Sequence, residues 1–144
     1  MDTQNLHVSS FVLLKNSKAD SIALLRAGPK HPVRFKQGKL LLPATILTFG
    51  ENPKLVAQRI LSQQLGGAEN LKADFVTMQS FLGAHWDLVF VFEAKFAEEK
   101  HLACKEPFTE VGFYKLSGLP RGEIAEDHLE VLDELAKEQI QQQS

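Results

Sequence analysis

The chain has 144 residues, 44% of them hydrophobic and 24% charged, which suits one globular domain and excludes a disordered chain. It carries 16 lysines and arginines against 18 aspartates and glutamates, a net charge of -2, so nucleic acid is an unlikely partner. Cys104 is its one cysteine, there is no apolar run of about 18 residues, and the first residues do not resemble a signal peptide. We therefore expect a cytoplasmic protein without a disulfide, a cysteine-built metal site or a membrane span.

Strands are predicted where short apolar or β-branched segments lie between turn-forming residues. The first two are expected to be antiparallel partners, joined through the turn-like residues 15–18. In chain order, the predicted strands and short apolar runs are His7–Leu14, Ser21–Arg26, Leu40–Leu42, Ile46–Phe49, Ala73–Leu82, Asp87–Phe96 and Val111–Leu116.

Two helices are predicted. Asn52 suits the N-cap and Pro53 the first turn of a helix that runs to about Leu65, where two glycines stop it. A second, amphipathic helix is predicted over Glu126–Ile140. Strands with two helices make this an α+β or mixed α/β domain over residues 1–140, with residues 141–144 as a frayed tail.

Charge is distributed in two opposite patches. Residues 21–50 contain no acidic side chain but five cationic ones, namely Arg26, Lys30, Arg34, Lys36 and Lys39. Residues 121–140 are mostly acidic, with Glu123 and Asp127 among seven carboxylates. One interpretation is that the basic segment binds phosphate through Arg26, Arg34 and Lys39. Another is that it contacts the acidic helix of a second copy in a homodimer. An ordinary solvated loop is the plainer interpretation.

The segment from Leu42 to Gly67 resembles the Nudix box in degraded form. The family pattern is G-x5-E-x7-R-E-U-x-E-E-x-G-U, where U is a bulky apolar residue. A Leu-Pro-Gly element usually precedes the whole pattern. The positions that match are Pro43, Gly50, Glu51, Pro53, Arg59, Leu61 and Gly66. Ile60, Gln63 and Gln64 stand where the family has its three glutamates, and Thr45 stands at the first glycine.

The flanks of this segment resemble the same family. The two opening strands, the run into Pro43 and the late segment from Glu110 to Pro120 come in the family's order. The resemblance covers nearly the whole chain. It implies an α/β/α sandwich: a mixed β-sheet with a Nudix-type helix and a C-terminal helix.

Active family members hydrolyse a nucleoside diphosphate linked to another group, with Mg²⁺ or Mn²⁺ held by carboxylates of the box helix. Mg²⁺ prefers anionic oxygen ligands. An isoleucine and two amides supply no charge, and an amide cannot act as general base. We therefore expect no cofactor and none of the usual hydrolysis, but binding of a nucleotide, another phosphate-bearing ligand or a protein partner.

Two alternatives stay open. The first is an active hydrolase with a rebuilt Mg²⁺ site that uses Glu51, Glu106 or Glu110. The second is a dimeric interaction subunit.

Individual side chains have more specific expectations. At about 100° per residue, Ile60 and Gln64 share the apolar face of the helix, so Ile60 is expected in the core and Gln64 buried or at a pocket edge. Gln63, at the margin of that face, contacts either ligand or solvent. The resemblance implies a structural contact between Glu51 and Arg59.

One sequence cluster combines a histidine, an aromatic residue and an acid. At a strand turn, His85, Trp86 and Asp87 can line a pocket, with Trp86 stacked on a ring of the ligand. Packing of Trp86 beside an exposed turn is the alternative. The other histidines (His7, His31, His101 and His128) show no metal-ligand spacing, so no metal site is predicted.

Overall fold

The computed structural model describes residues 5–16, 20–96 and 102–143, with side chains as far as Glu138. Residues 17 and 18 of the predicted turn, and His101, lie outside the described residues. Within this part of the chain, no helix is both long and apolar enough to cross a membrane.

Nine strands and two helices follow one another in the described residues. The strands are β1 (Leu6–Asn16), β2 (Ser21–Ala27), β3 (Leu40–Leu41), β4 (Ala44–Ile46), β5 (Leu65–Gly66), β6 (Asp74–Leu82), β7 (Trp86–Phe96), β8 (Ala103–Cys104) and β9 (Phe108–Lys115). The helices are α1 (Pro53–Gln63) and α2 (Glu126–Gln143). All predicted segments except one contain the expected element, with ends shifted by a few residues.

The exception is the apolar run Ile46–Phe49. Here β4 begins and ends earlier, at Ala44–Ile46, and Phe49 is fully exposed. Ala44, Thr45 and Ile46 find partners on β1, whereas the chain at Thr48 turns and hydrogen-bonds to Glu51. At the other end of the chain, α2 extends from Glu126 to Gln143, three residues beyond its predicted end at Ile140.

One mixed sheet of seven strands, counted within the described residues, forms the middle layer. Strands β3, β2, β1, β7 and β6 lie side by side in that order, while β4 pairs with β1 and β9 with β2. β1 runs parallel to β7 along its whole length, and the other pairs in this sheet are antiparallel. The predicted antiparallel contact of β1 with β2 is confirmed at Lys15 and Ile22. Its long partner is nevertheless β7, as suits a strand apolar on both faces.

The two faces of the sheet carry separate apolar cores. Because side chains alternate along a strand, Val12 and Leu14 of β1 face α1, whereas Phe11 and Leu13 face α2. The α1 face joins these residues to Ile60 and Phe92. The α2 face packs on three residues of the last helix, Val131, Leu132 and Leu135. The expected α/β/α sandwich is confirmed.

A buried histidine holds α2 on the sheet. His128 is 4% exposed, its Nδ1 accepts a hydrogen bond of 3.0 Å from the backbone N–H of Leu42, and its ring lies 4.7 Å from that of Phe11. Burial lowers the pKa of His128 from 6.5 to about 4, against the opposing charge of Asp127. His128 is therefore neutral in the folded protein near pH 7.

Candidate functional site

The loop from Pro43 to α1 is fixed at both ends. Gly50 has a φ of 88°, in the left-handed region that favours glycine. Asn52 caps α1, because its Oδ1 accepts a hydrogen bond of 2.9 Å from the N–H of Lys54. Ser10, buried on β1, donates its hydroxyl to the carbonyl of Pro53 at 2.9 Å. The first turn of α1 therefore lies over the row of the sheet that contains Ser10.

Glu51 and Arg59 make the contact that the resemblance implies. The guanidinium donates to Glu51 Oε2 at 2.8 Å, and the other carboxylate oxygen accepts the N–H of Thr48 at 2.7 Å. Hydrogen bonds from Thr48, followed by that from Arg59, lower the pKa of Glu51 to about 2. Both oxygens of Glu51 are thus engaged in holding the loop on the helix.

The three positions that carry glutamate in the Nudix box have other uses here. Ile60 is 2% exposed inside the core, as predicted, and Gln63 is exposed. Gln64 Nε2 donates to the carbonyl of Ala44 at 2.8 Å, while its Oε1 is buried and accepts no hydrogen bond within the described residues. A carboxylate at position 64 would bring a charged oxygen close to the carbonyl oxygen of Ala44, and two such acceptors repel each other unless a proton or a cation lies between them. The amide supplies a proton instead.

These residues do not fit Mg²⁺. A hard cation takes several oxygen ligands, preferably charged ones. Ile60 offers no ligand atom, Gln63 and Gln64 offer only neutral amides, and the amide of Gln64 already donates to Ala44. No hydrolytic step through such an ion can be derived from the residues on this helix.

The carboxylates proposed for a rebuilt site are not brought together. Glu106 is exposed and lies 3.4 Å from Lys30. Glu110 on β9 pairs with Arg26 on β2. Arg26 lies on the same face of β2 as Leu24, which belongs to the core beside α2. Glu110 is therefore on the α2 face of the sheet, away from α1. Within the described residues, neither joins Glu51 in a group of three potential metal ligands.

Much of the basic segment is neutralised within the same chain. Arg26 donates to Glu123 at 2.9 Å and to the carbonyl of Gly38, and Lys36 pairs with Asp127 at 2.8 Å. Lys39 Nζ lies 3.4 Å from the carbonyl of Gly122. Arg34 is exposed and makes no ion pair within the described residues. The two opposite patches that the sequence shows are therefore partners within one molecule.

On the sheet face that carries α1, the area formed by β6 and the start of β7 is not covered by the helix and is exposed to solvent. Pairing places Trp86 beside Leu82, and Phe90 beside Met78, with Leu88 between them on β7. We call these five residues the apolar platform. Met78 is 49%, Leu82 86% and Trp86 37% exposed, and Trp86 Nε1 donates to Ser80 Oγ at 2.8 Å. The indole of Trp86 is thus partly exposed, and its hydrogen bond to Ser80 fixes its orientation.

The predicted ligand-binding residues do not form one compact site. Trp86 lies on β7, whereas Arg34 and Lys39 belong to the segment that leads into β3 at the far edge of the sheet. At about 4.8 Å per strand, three strand spacings already put at least roughly 15 Å between them across the sheet. Gln64 lies between, against Ala44 of β4.

Sequence patterns missed two polar side chains that position this region. Ser10 is a polar residue inside an apolar strand, which is a readable signal of a specific hydrogen bond. Gln79 is 3% exposed on β6 and donates to the carbonyl of Val131, so it ties the edge strand to α2. The alternation along β6 could have marked it as a buried polar residue.

Solved structures share this arrangement of sheet and helices. The Nudix hydrolase RenU from M. smegmatis aligns with a TM-score of 0.69 and 17% identity, over 94% of this chain and 86% of that one. A MutT protein from Methanosarcina mazei Go1 aligns with a TM-score of 0.68 and 18% identity, over 92% and 96%. The Nudix domain of Shewanella oneidensis NrtR, solved with ADP ribose, gives 0.66 and 16%, over 97% and 90%.

These similarities establish the fold. The chain has the Nudix fold, as the degraded box and its flanks predict. No protein-family model and no curated protein matches the sequence.

Proposed function

We propose that this chain uses the Nudix fold to bind a nucleotide-like ligand without hydrolysing it through α1. The observation that carries the proposal is the hydrogen bond from the amide of Gln64 to the carbonyl of Ala44 at 2.8 Å. It engages the side chain that stands at a glutamate position of the Nudix box, so this amide is not free to hold a cation. The buried Ile60 supports the same conclusion, since an isoleucine side chain has no atom that could bind a metal ion.

The apolar platform is the part of the surface that best suits the ligand. An exposed apolar patch beside polar surface usually marks an interaction site. The indole of Trp86 is held by Ser80 and flanked by Leu82, which suits stacking on a flat base. ADP ribose in the Shewanella oneidensis domain makes that compound the first probe.

The test measures binding and turnover of ADP ribose in the same samples. We expect calorimetric binding without release of AMP in Mg²⁺ or Mn²⁺. Trp86→Ala should weaken binding by roughly fivefold or more, because loss of one stacked ring costs about 1–3 kcal/mol. Phe35→Ala, at an 80% exposed aromatic on the β2–β3 loop, is the matched control and should bind normally. Metal-dependent cleavage at ordinary hydrolase rates would contradict the proposal, and so would equal binding by the Trp86 variant.

A homodimer is the second candidate function, and the edge strand β6 favours it. Phe75 and Val76 are 57% and 42% exposed on this strand, next to Met78. Exposed apolar edge strands pair readily with another chain. The charge patches give less support, because Arg26 and Lys36 already pair with acids of their own chain.

Light scattering separates the two candidates. A β6-mediated dimer should show twice the monomer mass, hardly changed by salt, and Val76→Lys should return it to the monomer. Thr109→Lys, on exposed surface of β9, is the control that should leave the dimer intact. A monomer in the wild type at high protein concentration would remove this candidate.

A further inference from the structure

Two histidines and an aspartate from distant parts of the sequence meet on the α2 face of the sheet. In the parallel pairing of β1 with β7, His7 lies directly opposite Asp87. His85 comes from the turn that joins β6 to β7, where the N–H of Gly83 donates to its carbonyl at 3.0 Å. The sequence predicts no metal site, because the partner of His85 and Asp87 is supplied by a strand near the other end of the chain.

The ligand atoms of this trio are close to one another. Asp87 Oδ2 lies 3.2 Å from His85 Nε2, and Oδ1 lies 3.9 Å from His7 Nδ1. The two imidazole rings have centroids 4.1 Å apart. One ligand atom from each residue can be chosen so that all three lie within 4.8 Å of one another. Among the described residues this is the one group of three or more His, Cys, Asp and Glu side chains with that property.

Those distances suit a transition metal ion with small side-chain adjustments. Ligands bound to Zn²⁺ at 2.0–2.1 Å in a tetrahedron lie about 3.3 Å from each other. The His85–Asp87 separation already has that value, and only His7 has to approach by about an ångström, within reach of a χ rotation. All three side chains are 39–44% exposed, so they can move and water can complete the coordination.

The donor set selects the chemical class of the ion. Imidazole favours Zn²⁺, Cu²⁺, Ni²⁺ and Co²⁺, whereas Mg²⁺ prefers oxygen ligands alone. Within the described residues, Asp87 forms no ion pair with lysine or arginine, so no fixed cation already neutralises it. We propose that His7, His85 and Asp87 form a binding site for a borderline divalent transition metal, with Zn²⁺ as its reference ion.

This site is separate from the Nudix box. Strand alternation puts His7 and Asp87 on the face of the sheet that packs on α2, together with Phe11 and Val89. Ser10 and the first turn of α1 lie on the other face. A bound ion would join the start of β1 to the β6–β7 turn. Since Trp86 lies between His85 and Asp87, the ion would also steady the end of the apolar platform.

The test is calorimetric titration of untagged, chelator-stripped protein with ZnCl₂. We expect one ion per chain, and affinity reduced roughly tenfold or more in His7→Ala, His85→Ala and Asp87→Asn. His31→Gln is the matched control and should bind normally, while MgCl₂ should give no comparable heat. Visible absorption of the Co²⁺ form provides a second measurement, because its d–d bands report nitrogen coordination and should vanish in His85→Ala.

The variants should fold, since the three side chains are half-exposed, and circular dichroism checks that they do. Absence of Zn²⁺ binding to the wild type would overturn the proposal. If His7→Ala and Asp87→Asn bound Zn²⁺ as tightly as the wild type, the proposal would also be overturned, because the ion would then lie elsewhere. Neither result overturns the ADP ribose proposal, because that ligand is proposed to contact Trp86 on the other face of the sheet.

Discussion

Ile60→Glu is expected to lower the free energy of unfolding by about 3–5 kcal/mol, the usual cost of a buried charge without a partner. Ile60 is 2% exposed and packs on the α1 face of the sheet, so the new carboxylate would meet only apolar groups. Urea unfolding followed by circular dichroism measures the loss. Leu55→Glu is the matched control, because Leu55 is on the same helix but 69% exposed. It should change the stability by about 0.5 kcal/mol or less.

The triple variant Ile60→Glu, Gln63→Glu and Gln64→Glu extends this experiment to the lost metal site. We expect it to be unstable alone and to be stabilised by Mg²⁺, by about 2.7 kcal/mol when the ion is at 100 times its dissociation constant. Mg²⁺ is the right probe because it avoids the imidazoles of the proposed transition-metal site. Equal stabilisation of the wild type by Mg²⁺ would show that α1 already holds a cation, against the interpretation given above.

Acid is expected to destabilise the protein through His128 well before it protonates the carboxylates. The pKa of His128 is about 4 in the folded protein, against 6.5 for an ordinary histidine such as that of the unfolded chain. Between these values the unfolded chain binds more protons, so stability is complete above pH 6.5 and falls as the pH decreases toward 4. From pH 7 to pH 5 the expected loss is roughly 2 kcal/mol.

His128→Asn should abolish most of this pH dependence. The amide oxygen of asparagine can accept the N–H of Leu42, as Nδ1 of His128 does. The smaller side chain lowers the stability at every pH, because it leaves space beside Phe11. Urea midpoints at pH 7 and pH 5 measure the difference. An unchanged slope in the variant would mean that a group other than His128 causes the pH dependence.

Local patterns were enough to predict the helix and its burial. The N-cap Asn52 and the proline after it fix the start of α1, and helical spacing alone puts Ile60 in the core. The resemblance to the Nudix box adds the contact of Glu51 with Arg59. Each of these depends on residues that are close in the chain, where sequence spacing translates directly into geometry.

Contacts between distant segments could not be read from spacing. The sequence shows that residues 21–50 and 121–140 have opposite charge, but not that Lys36 reaches Asp127 within one molecule. The partner of Gln64 depends on how β4 joins the sheet, and the proximity of His7 to Asp87 depends on the register of β1 with β7. Pairing of strands is decided by the whole fold, and local spacing in a single sequence does not reveal it.

The parallel pairing of β1 with β7 also governs how this chain must fold. The central strand of the sheet begins at Leu6, and the strand with which it pairs along its whole length is Trp86–Phe96. All the chain between these two strands must therefore be looped out when they pair. Closure of so long a loop costs entropy before any contact repays it, which slows folding relative to domains whose contacts are mostly local. During synthesis, the first strand has to wait, unpaired on that side, until β7 leaves the ribosome.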